Sequence, residues 1–127
     1  MPTIADWGYD DRNSYIRVPS DRGDATRLEL RAADAAANPY LVIAANLFAG
    51  LDGIRRKLKP PPDGRASAAA LPARLEDSIE ALRADETLVC NMGAPLVDAF
   101  CALKGMEVQQ FRRAVTDWEL REYAWHL

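Results

Sequence analysis

The stretch Arg27-Leu28-Glu29-Leu30-Arg31 is the most informative part of this chain. Charged and apolar side chains alternate along it, which predicts a β-strand. Successive side chains of a β-strand point to opposite faces, and neighbours on one face lie roughly 6.6 Å apart. The alternation therefore predicts that Leu28 and Leu30 point into a core. On the other face, the carboxylate of Glu29 stands in a row between two guanidinium groups.

This charged row permits two interpretations. One is an exposed strand face with two solvated ion pairs, which is a common surface feature. The other is a site for a divalent metal ion and a polyphosphate, because such cations prefer carboxylate oxygens and arginine forks match phosphate oxygens. The spacing alone favours the exposed face, so the rest of the sequence must decide between the two.

A second alternating run, residues 15–18, precedes the first, and the turn-forming residues 19–24 separate the two runs. This order predicts a β-hairpin. Ile16 and Val18 would then face the same side as the two leucines, Arg17 would join the charged face, and Arg12 would lie in a turn before the strand. A lone hairpin is marginal in water, so this one requires further strands or helices to cover it.

The remainder of the chain has helical patterning. Asn38 is a good N-cap before Pro39, and the apolar spacing predicts a helix from there to about Leu58. Residues 60–70, which are rich in proline, alanine and glycine, indicate an exposed linker and not a domain boundary. Three further helices are predicted: residues 74–84, one that opens at residues 93–95, and one that begins at the capping-box pair Thr116 and Glu119.

These elements predict an α+β fold, in which a β-hairpin from a larger antiparallel sheet is covered by several C-terminal α-helices. The 127 residues are enough for one domain. We expect residues 1–31 to form the hairpin with its arginine and glutamate face, and residues 38–127 to form a helical layer.

Composition narrows the classes of function. The chain is 49% hydrophobic and 28% charged, as is ordinary for a soluble globular protein, and its net charge of −3 provides no cationic field for nucleic acid or an anionic membrane. The apolar stretch 39–51 is shorter than the ~20 residues that span a bilayer. Cys90 and Cys101 lie in no metal-binding or redox spacing, and the N-terminus carries no secretory signal. A reduced, cytoplasmic chain is therefore predicted.

Several segments occur along the chain in a specific order and spacing: residues 11–19, 27–31, 34–41 and 49–54, Leu71-Pro72, Ala84-Asp85, and Thr116-Asp117-Trp118-Glu119. Together they resemble the C-terminal part of the glutamine synthetase catalytic domain. The resemblance covers nearly the whole chain and implies the last portion of a larger enzyme. The tail looks more similar to members that ligate amines, the γ-glutamyl-amine ligase branch, than to the ammonia-using enzymes.

The resemblance also implies roles for five side chains. Glu29 matches a family carboxylate that binds a divalent ion, Mg²⁺ or Mn²⁺, at the nucleotide phosphates. Arg17 and Arg27 match arginines that contact the ATP phosphates. Arg31 matches an arginine near the transferred phosphoryl group, and Arg12 one that steadies this group. The implied chemistry forms γ-glutamyl phosphate from glutamate and ATP, and ammonia or an amine then displaces phosphate.

The family's other metal ligands and its glutamate and ammonium loops would precede Met1. One carboxylate cannot hold two divalent ions, because each ion needs several oxygen ligands. Three hypotheses stay open. In the first, the chain is a fragment or split subunit of a glutamine-synthetase-type ligase that is active only with the missing N-terminal part. In the second, it is a non-catalytic truncated homologue that associates with full-length subunits, and in the third it is the poorly folding product of a broken reading frame. As partners, the resemblance implies either a homo-oligomer or association with the missing N-terminal part. A neighbouring upstream frame that encodes the first part would favour the first hypothesis.

Overall fold

The structure is a computed structural model and describes residues 2–61 and 68–125. It divides into two compact units, Met1–Ala73 and Arg74–Leu127. Both strands and helices occur, so the α+β class is confirmed, whereas the predicted division at residues 31 and 38 stays a prediction. Of the predicted linker, residues 62–67 lie outside the described residues. The elements are β1 Trp7–Tyr9, β2 Ile16–Val18, β3 Glu29–Leu30, α1 Pro39–Arg55, α2 Leu75–Ala84, α3 Glu86–Met92, α4 Ala94–Arg113 and α5 Asp117–Tyr123.

The sheet of the first unit has the strand order β1-β2-β3. Strands β2 and β3 are antiparallel, with Arg17 opposite Glu29, so the predicted hairpin is present. Strand β1 was not predicted. It runs parallel to β2 and places Gly8 opposite Arg17, so this sheet is mixed rather than antiparallel. Parallel neighbours usually need a connection of a dozen or more residues. Here residues 10–15 suffice, because each of the two strands is only three residues long.

The apolar face of this sheet is only partly covered. It lines a cavity of about 480 Å³ together with Leu28, Pro60 and Pro61, and the indole Nε1 of Trp7 donates a hydrogen bond to the Pro61 carbonyl at 3.1 Å. Leu28 is 70% exposed, so its predicted burial is wrong, and Leu30 is half-buried. The reason is that α1 makes no packing contact with the strands among the described residues.

Helix α1 begins as predicted. The Asn38 side chain accepts hydrogen bonds from the backbone N–H groups of Tyr40 and Leu41, at 3.0 and 3.3 Å. The structure describes every residue of α1, and none of them is buried. Its apolar side chains form a row at helical spacing along one side, each at least 45% exposed. This row is called the α1 stripe below and consists of Tyr40, Ile43, Leu47, Leu51 and Ile54.

Helix α1 ends at Arg55, three residues before the predicted end. Lys57 adopts a left-handed conformation with φ of 53°. Its N–H bonds the Ile54 carbonyl at 3.1 Å, and the N–H of Leu58 bonds the Gly53 carbonyl at 2.9 Å. These two bonds form a Schellman motif, which satisfies the last helical carbonyls and turns the chain away from the helix axis.

The second unit is built on the packing of α2 and α3 against α4. Its buried centre is Ile79, Val97 and Cys101, with Leu82, Val89, Met92 and Phe100 packed around it. Helix α3 was not predicted, because seven residues are too few to show helical periodicity. Its signal in the sequence is the N-cap Asp85, whose carboxylate accepts from the Leu88 N–H at 2.9 Å.

The capping box predicted for α5 is present. The N–H of Glu119 donates to Thr116 Oγ1 at 3.2 Å, and the N–H of Thr116 donates to Glu119 Oε2 at 2.7 Å. Hydrogen bonds from the Thr116 backbone, and then from its hydroxyl, lower the pKa of the Glu119 carboxyl. On the helix, the rings of Trp118 and Tyr123 pack edge to face with centroids 6.0 Å apart.

Within the described part of the chain, no single helix is long and apolar enough to cross a membrane. The pair formed by α3 and residues 94–123 reaches that length and composition together, but it is bent by 107°. Cys90 is exposed and Cys101 is buried, and both are free thiols. The cytoplasmic location predicted from sequence stays a prediction.

Candidate functional site

The polar face of the sheet carries five side chains of alternating charge. The antiparallel register sets Arg17 directly opposite Glu29, and Arg27 lies two residues before Glu29 on the same face. The five are joined by hydrogen bonds in one line, which we call the charge row: Asp10, Arg17, Glu29, Arg27 and Asp21.

Glu29 lies at the centre of the charge row. Arg17 Nη1 donates to Glu29 Oε2 at 2.9 Å, and Arg27 Nε donates to Oε1 at 3.0 Å. Each carboxylate oxygen is thus held by one arginine. The hydrogen bond from Arg17 lowers the pKa of Glu29 most, desolvation opposes it, and the bond from Arg27 adds to the lowering. The carboxylate form of Glu29 therefore persists to a lower pH than that of an ordinary glutamate.

The arginines are also held from outside by two aspartates. Arg17 Nε donates to Asp10 Oδ1 at 3.1 Å, and Arg27 Nη1 donates to Asp21 Oδ2 at 3.1 Å. These outer bonds are the largest cause of the raised pKa of each arginine, ahead of Glu29. With two positive and three negative members, the charge row has a net charge of −1. Asp10 and Asp21 were not predicted from the sequence as members of this site.

Arg12 and Arg31 lie apart from the charge row. Together with Pro2 and Asn13 they line a small polar cavity of about 260 Å³. Neither arginine makes an ion pair among residues 2–61 and 68–125. Two guanidinium groups at one cavity, with no carboxylate paired to them in those ranges, favour an anion there. The five residues predicted from sequence therefore fall into two neighbouring groups on one unit.

The turn that carries Arg12 is fixed by carboxylates. Asp11 accepts from the Asn13 N–H at 2.8 Å and from the Ser14 hydroxyl at 3.2 Å. Asp6, which is only 3% exposed, accepts from the Tyr15 N–H at 2.6 Å. These positioning groups were not predicted from the sequence, although Asp11-Arg12-Asn13 has the spacing of an Asx turn.

The match between this site and a divalent metal is partial. Glu29 supplies the hard oxygen donor that Mg²⁺ or Mn²⁺ prefers. The described residues contain no group of three or more histidine, cysteine, aspartate or glutamate side chains placed to hold an ion. Glu29 is therefore the one carboxylate that the resemblance assigns to a metal, and the described residues do not complete a metal site around it.

Comparison with known proteins identifies the family. The family model described as glutamine synthetase, catalytic domain, matches residues 1–123. The chain therefore belongs to the glutamine synthetase catalytic domain family, as the sequence motifs implied.

Individual relatives agree with this assignment. The glutamine synthetase of Methanococcus voltae is 40% identical over 96% of this chain and 30% of its own length. That of Thermus thermophilus is 37% identical with the same coverage. A solved structure of GmaS in complex with ADP superimposes with a TM-score of 0.81 and 38% identity, over 95% of this chain and 29% of that one. This chain thus spans about a third or less of the relatives that it matches.

Proposed function

We propose that this chain is the C-terminal portion of an ATP-dependent ligase that joins glutamate to ammonia or an amine through γ-glutamyl phosphate. The observation that carries the proposal is the charge row, in which two arginines hold both oxygens of Glu29, beside a cavity lined by Arg12 and Arg31. Family membership supports the reaction class. The similar GmaS structure is a complex with ADP, which supports a nucleotide as one ligand.

In the proposed reaction, the side-chain carboxylate of glutamate attacks the γ-phosphorus of ATP, which forms γ-glutamyl phosphate and releases ADP. Ammonia or an amine then attacks the γ-carbonyl carbon, loses a proton and displaces inorganic phosphate. Both steps develop negative charge on phosphoryl oxygens, which planar guanidinium groups neutralise by forked hydrogen bonds. A bound Mg²⁺ or Mn²⁺ would supply further charge neutralisation at the phosphates.

The four arginines divide this work by their surroundings. Arg17 and Arg27 lie in the charge row beside Glu29, which suits them to hold the nucleotide phosphates. Arg12 and Arg31, which have no carboxylate partner in the described residues, line the adjacent cavity, which suits them to hold the phosphoryl group during its transfer. Glu29 would contribute one carboxylate to the metal site.

The 127 residues alone should lack ligase activity. Two divalent ions need several carboxylate ligands, and the described residues contain no group of side chains placed to hold an ion around Glu29.

A chimera provides the test. This chain replaces the matching segment of the Methanococcus voltae glutamine synthetase, and ATP-dependent γ-glutamyl transfer to ammonia, methylamine and a polyamine is measured. We expect turnover that falls by about 100-fold or more in the Glu29→Gln chimera, as is typical when a charge-stabilising group of an active site is removed.

Glu107→Gln serves as the control, because Glu107 is a carboxylate paired with Lys104 at 2.8 Å on α4 of the other unit. The control chimera should keep its turnover. Equal turnover in the Glu29→Gln chimera and its parent would remove Glu29 from the site, and ligase activity of the 127 residues alone would contradict the need for further chain.

A second candidate function is a non-catalytic homologue that associates with full-length subunits. The α1 stripe favours it, since among the described residues α1 packs against no other helix or strand and its exposed apolar side chains suit a contact between chains. If this candidate is correct, the chain should co-purify with a full-length relative, and Glu29→Gln should change neither that association nor the partner's activity.

A further inference from the structure

Four side chains form an apolar surface across strands β1 and β2. In the parallel register Trp7 lies opposite Ile16, and Tyr9 lies opposite Val18. The rings of Trp7 and Tyr9 pack edge to face, with centroids 5.4 Å apart and planes at 80°. We call these four side chains, which line the cavity of about 480 Å³, the aromatic face. Because side chains alternate along a strand, the aromatic face is on the opposite side of the sheet from the charge row.

One segment of the same chain lies against the aromatic face. Pro60 and Pro61, called the diproline below, line the cavity. The indole Nε1 of Trp7 donates a hydrogen bond to the Pro61 carbonyl at 3.1 Å. Both prolines are exposed and belong to no helix or strand. The diproline is therefore held by the aromatic face and not by a secondary-structure element of its own.

The sequence at this point favours the polyproline II conformation. Lys59, Pro60 and Pro61 each precede a proline, which disfavours the helical region for all three. The proline rings fix φ near the polyproline II value. A segment in this conformation makes no internal hydrogen bonds, so its carbonyl groups are free to accept from a partner. Its order before binding also lowers the entropy that binding costs.

These contacts are the ones by which proteins recognise proline-rich peptides. In that mode of recognition, an extended proline segment docks on a groove lined by aromatic side chains. A tryptophan suits such a groove because it offers both an apolar ring and an N–H donor. Trp7 provides the ring and the donor here, and the Pro61 carbonyl accepts. The aromatic face therefore has the chemistry of a proline-binding groove.

Further along the chain, the same region is held by backbone bonds. The N–H of Ala5 donates to the Ala69 carbonyl at 2.8 Å, and the N–H of Leu71 donates to the Thr3 carbonyl at 2.9 Å. Bonds of this kind place few demands on the side chains that flank them. The diproline contact, in contrast, depends on the indole of Trp7. It can open while the backbone bonds remain.

We propose that the aromatic face is a recognition surface for proline-rich segments and that the diproline is its resident ligand, bound in cis. A proline-rich segment from elsewhere binds there only when the diproline has left, because both accept from the indole N–H of Trp7. The surface is thus kept closed by the chain's own sequence. This inference goes beyond the proposed ligase function and does not depend on it.

The first test measures hydrogen exchange of the Trp7 indole N–H in the full 127-residue chain by ¹H–¹⁵N NMR. Its signal is identified by its loss in Trp7→Phe, and Trp125, which is 90% exposed, is the internal reference. We expect exchange at least about fivefold slower at Trp7, because its N–H is hydrogen-bonded. The Pro60→Gly, Pro61→Gly double variant should remove most of this protection. Pro72→Gly, at an exposed proline outside the cavity lining, is the matched control and should not.

The second test supplies the ligand in trans. The probe is a peptide with the sequence of residues 59–64, and the control peptide has alanine in place of its three prolines. The proline peptide should restore slow exchange at Trp7 in the double glycine variant, and the alanine peptide should not. The wild-type chain should bind the proline peptide more weakly than the variant does. The factor should match the protection found in the first test, because both depend on the fraction of chains with the diproline bound.

Fast exchange at Trp7 in the wild type, equal to that at Trp125, overturns the inference. Protection that survives the double glycine substitution overturns it as well, and so does a double variant that binds both peptides equally or binds neither. If that variant does not fold, the milder Pro61→Ala takes its place. Reduced protection of the Trp7 N–H in Pro61→Ala supports the inference, and unchanged protection overturns it.

Discussion

Glu29 is the residue on which the proposed site depends, and its neighbours change the pKa of its carboxyl group in a way that can be measured. The hydrogen bonds from Arg17 and Arg27 favour the carboxylate over the acid, so its pKa in the folded chain lies below the ordinary value of 4.5. A lowered pKa stabilises the fold above the unfolded value and loses that contribution as the pH falls through the folded value. The hairpin should therefore loosen in acid below about pH 4.5.

The first prediction concerns the source of that shift. Arg17→Gln should raise the pKa of Glu29 toward 4.5, and Arg27→Gln should raise it less, because the bond from Arg17 is the larger cause. Carboxyl ¹³C NMR titration measures both. Glu119 is the internal control, since Thr116 lowers its pKa and neither substitution touches that contact. An unchanged Glu29 pKa in Arg17→Gln would contradict the assigned cause.

The second prediction separates charge from geometry at Arg12. In the chimeric enzyme, Arg12→Lys keeps the positive charge but loses the planar fork. We expect turnover to fall by about tenfold or more, with a smaller change in the KM for ATP, because Arg12 lines the cavity proposed for the transferred phosphoryl group. The exposed Arg83 of α2 provides the control substitution Arg83→Lys. Equal effects at both positions would indicate that Arg12 has no oriented role.

At the scale of the element, strand β1 is the support for the turn that carries Arg12. Gly8 is its critical position, because a Cβ built there would lie 2.8 Å from Ser14 Oγ and 3.0 Å from Asp11 Cβ. Both atoms belong to the turn, and Ser14 is buried. No side chain larger than hydrogen fits unless the turn moves.

The third prediction follows from this contact. Gly8→Ala should destabilise the first unit, and it should also displace the Arg12 turn. Gly50→Ala is the matched control, because a Cβ at Gly50 meets nothing within 4 Å and alanine favours a helix by about 0.5–1 kcal/mol. Urea unfolding should show opposite signs for the two variants. A Gly8→Ala chain that is as stable as the wild type would contradict the close approach of Ser14 to Gly8.

The elements that were predicted from sequence are those with local signals. The caps at Asn38 and Thr116 and the alternation around Glu29 determine backbone conformation over a few residues, and the structure contains each of these features. Strand β1 and the partners Asp10 and Asp21 depend on pairing between residues that are apart in the sequence. No repeating pattern in a single sequence indicates which residues pair in this way. The burial of Leu28 was predicted wrongly because alternation indicates a face, not what covers that face.

At the scale of the whole molecule, the chain leaves much apolar surface uncovered. The α1 stripe is exposed, the cavity beneath the sheet is open, and Leu96, Leu103 and Met106 of α4 are also about half exposed. Exposed apolar surface on each unit favours association between chains. The family assignment agrees, since this chain matches only about 30% of the length of its relatives.

The fourth prediction is that the 127-residue chain self-associates at micromolar concentration, as measured by sedimentation velocity. Leu47→Glu, in the middle of the α1 stripe, should shift the distribution toward monomer. Glu86→Gln, at the first position of α3, changes a charge away from the stripe and should have no such effect. A monodisperse wild-type monomer that melts cooperatively would instead indicate an autonomous domain and favour a binding role.

The six-residue return between β1 and β2 has a consequence for how this region can vary in nature or in the laboratory. Residues 10–15 must lead the chain from the end of β1 back to the start of β2, and they must place the Tyr15 N–H against the Asp6 carboxylate. A connection of this length has no spare residue. Their number is therefore more constrained than the identity of their exposed members. In a library of single-residue insertions, few folded variants should carry an insertion between Asp10 and Tyr15. Insertions between Ser20 and Ala25 should be tolerated, because the hairpin loop can lengthen there at little cost in free energy.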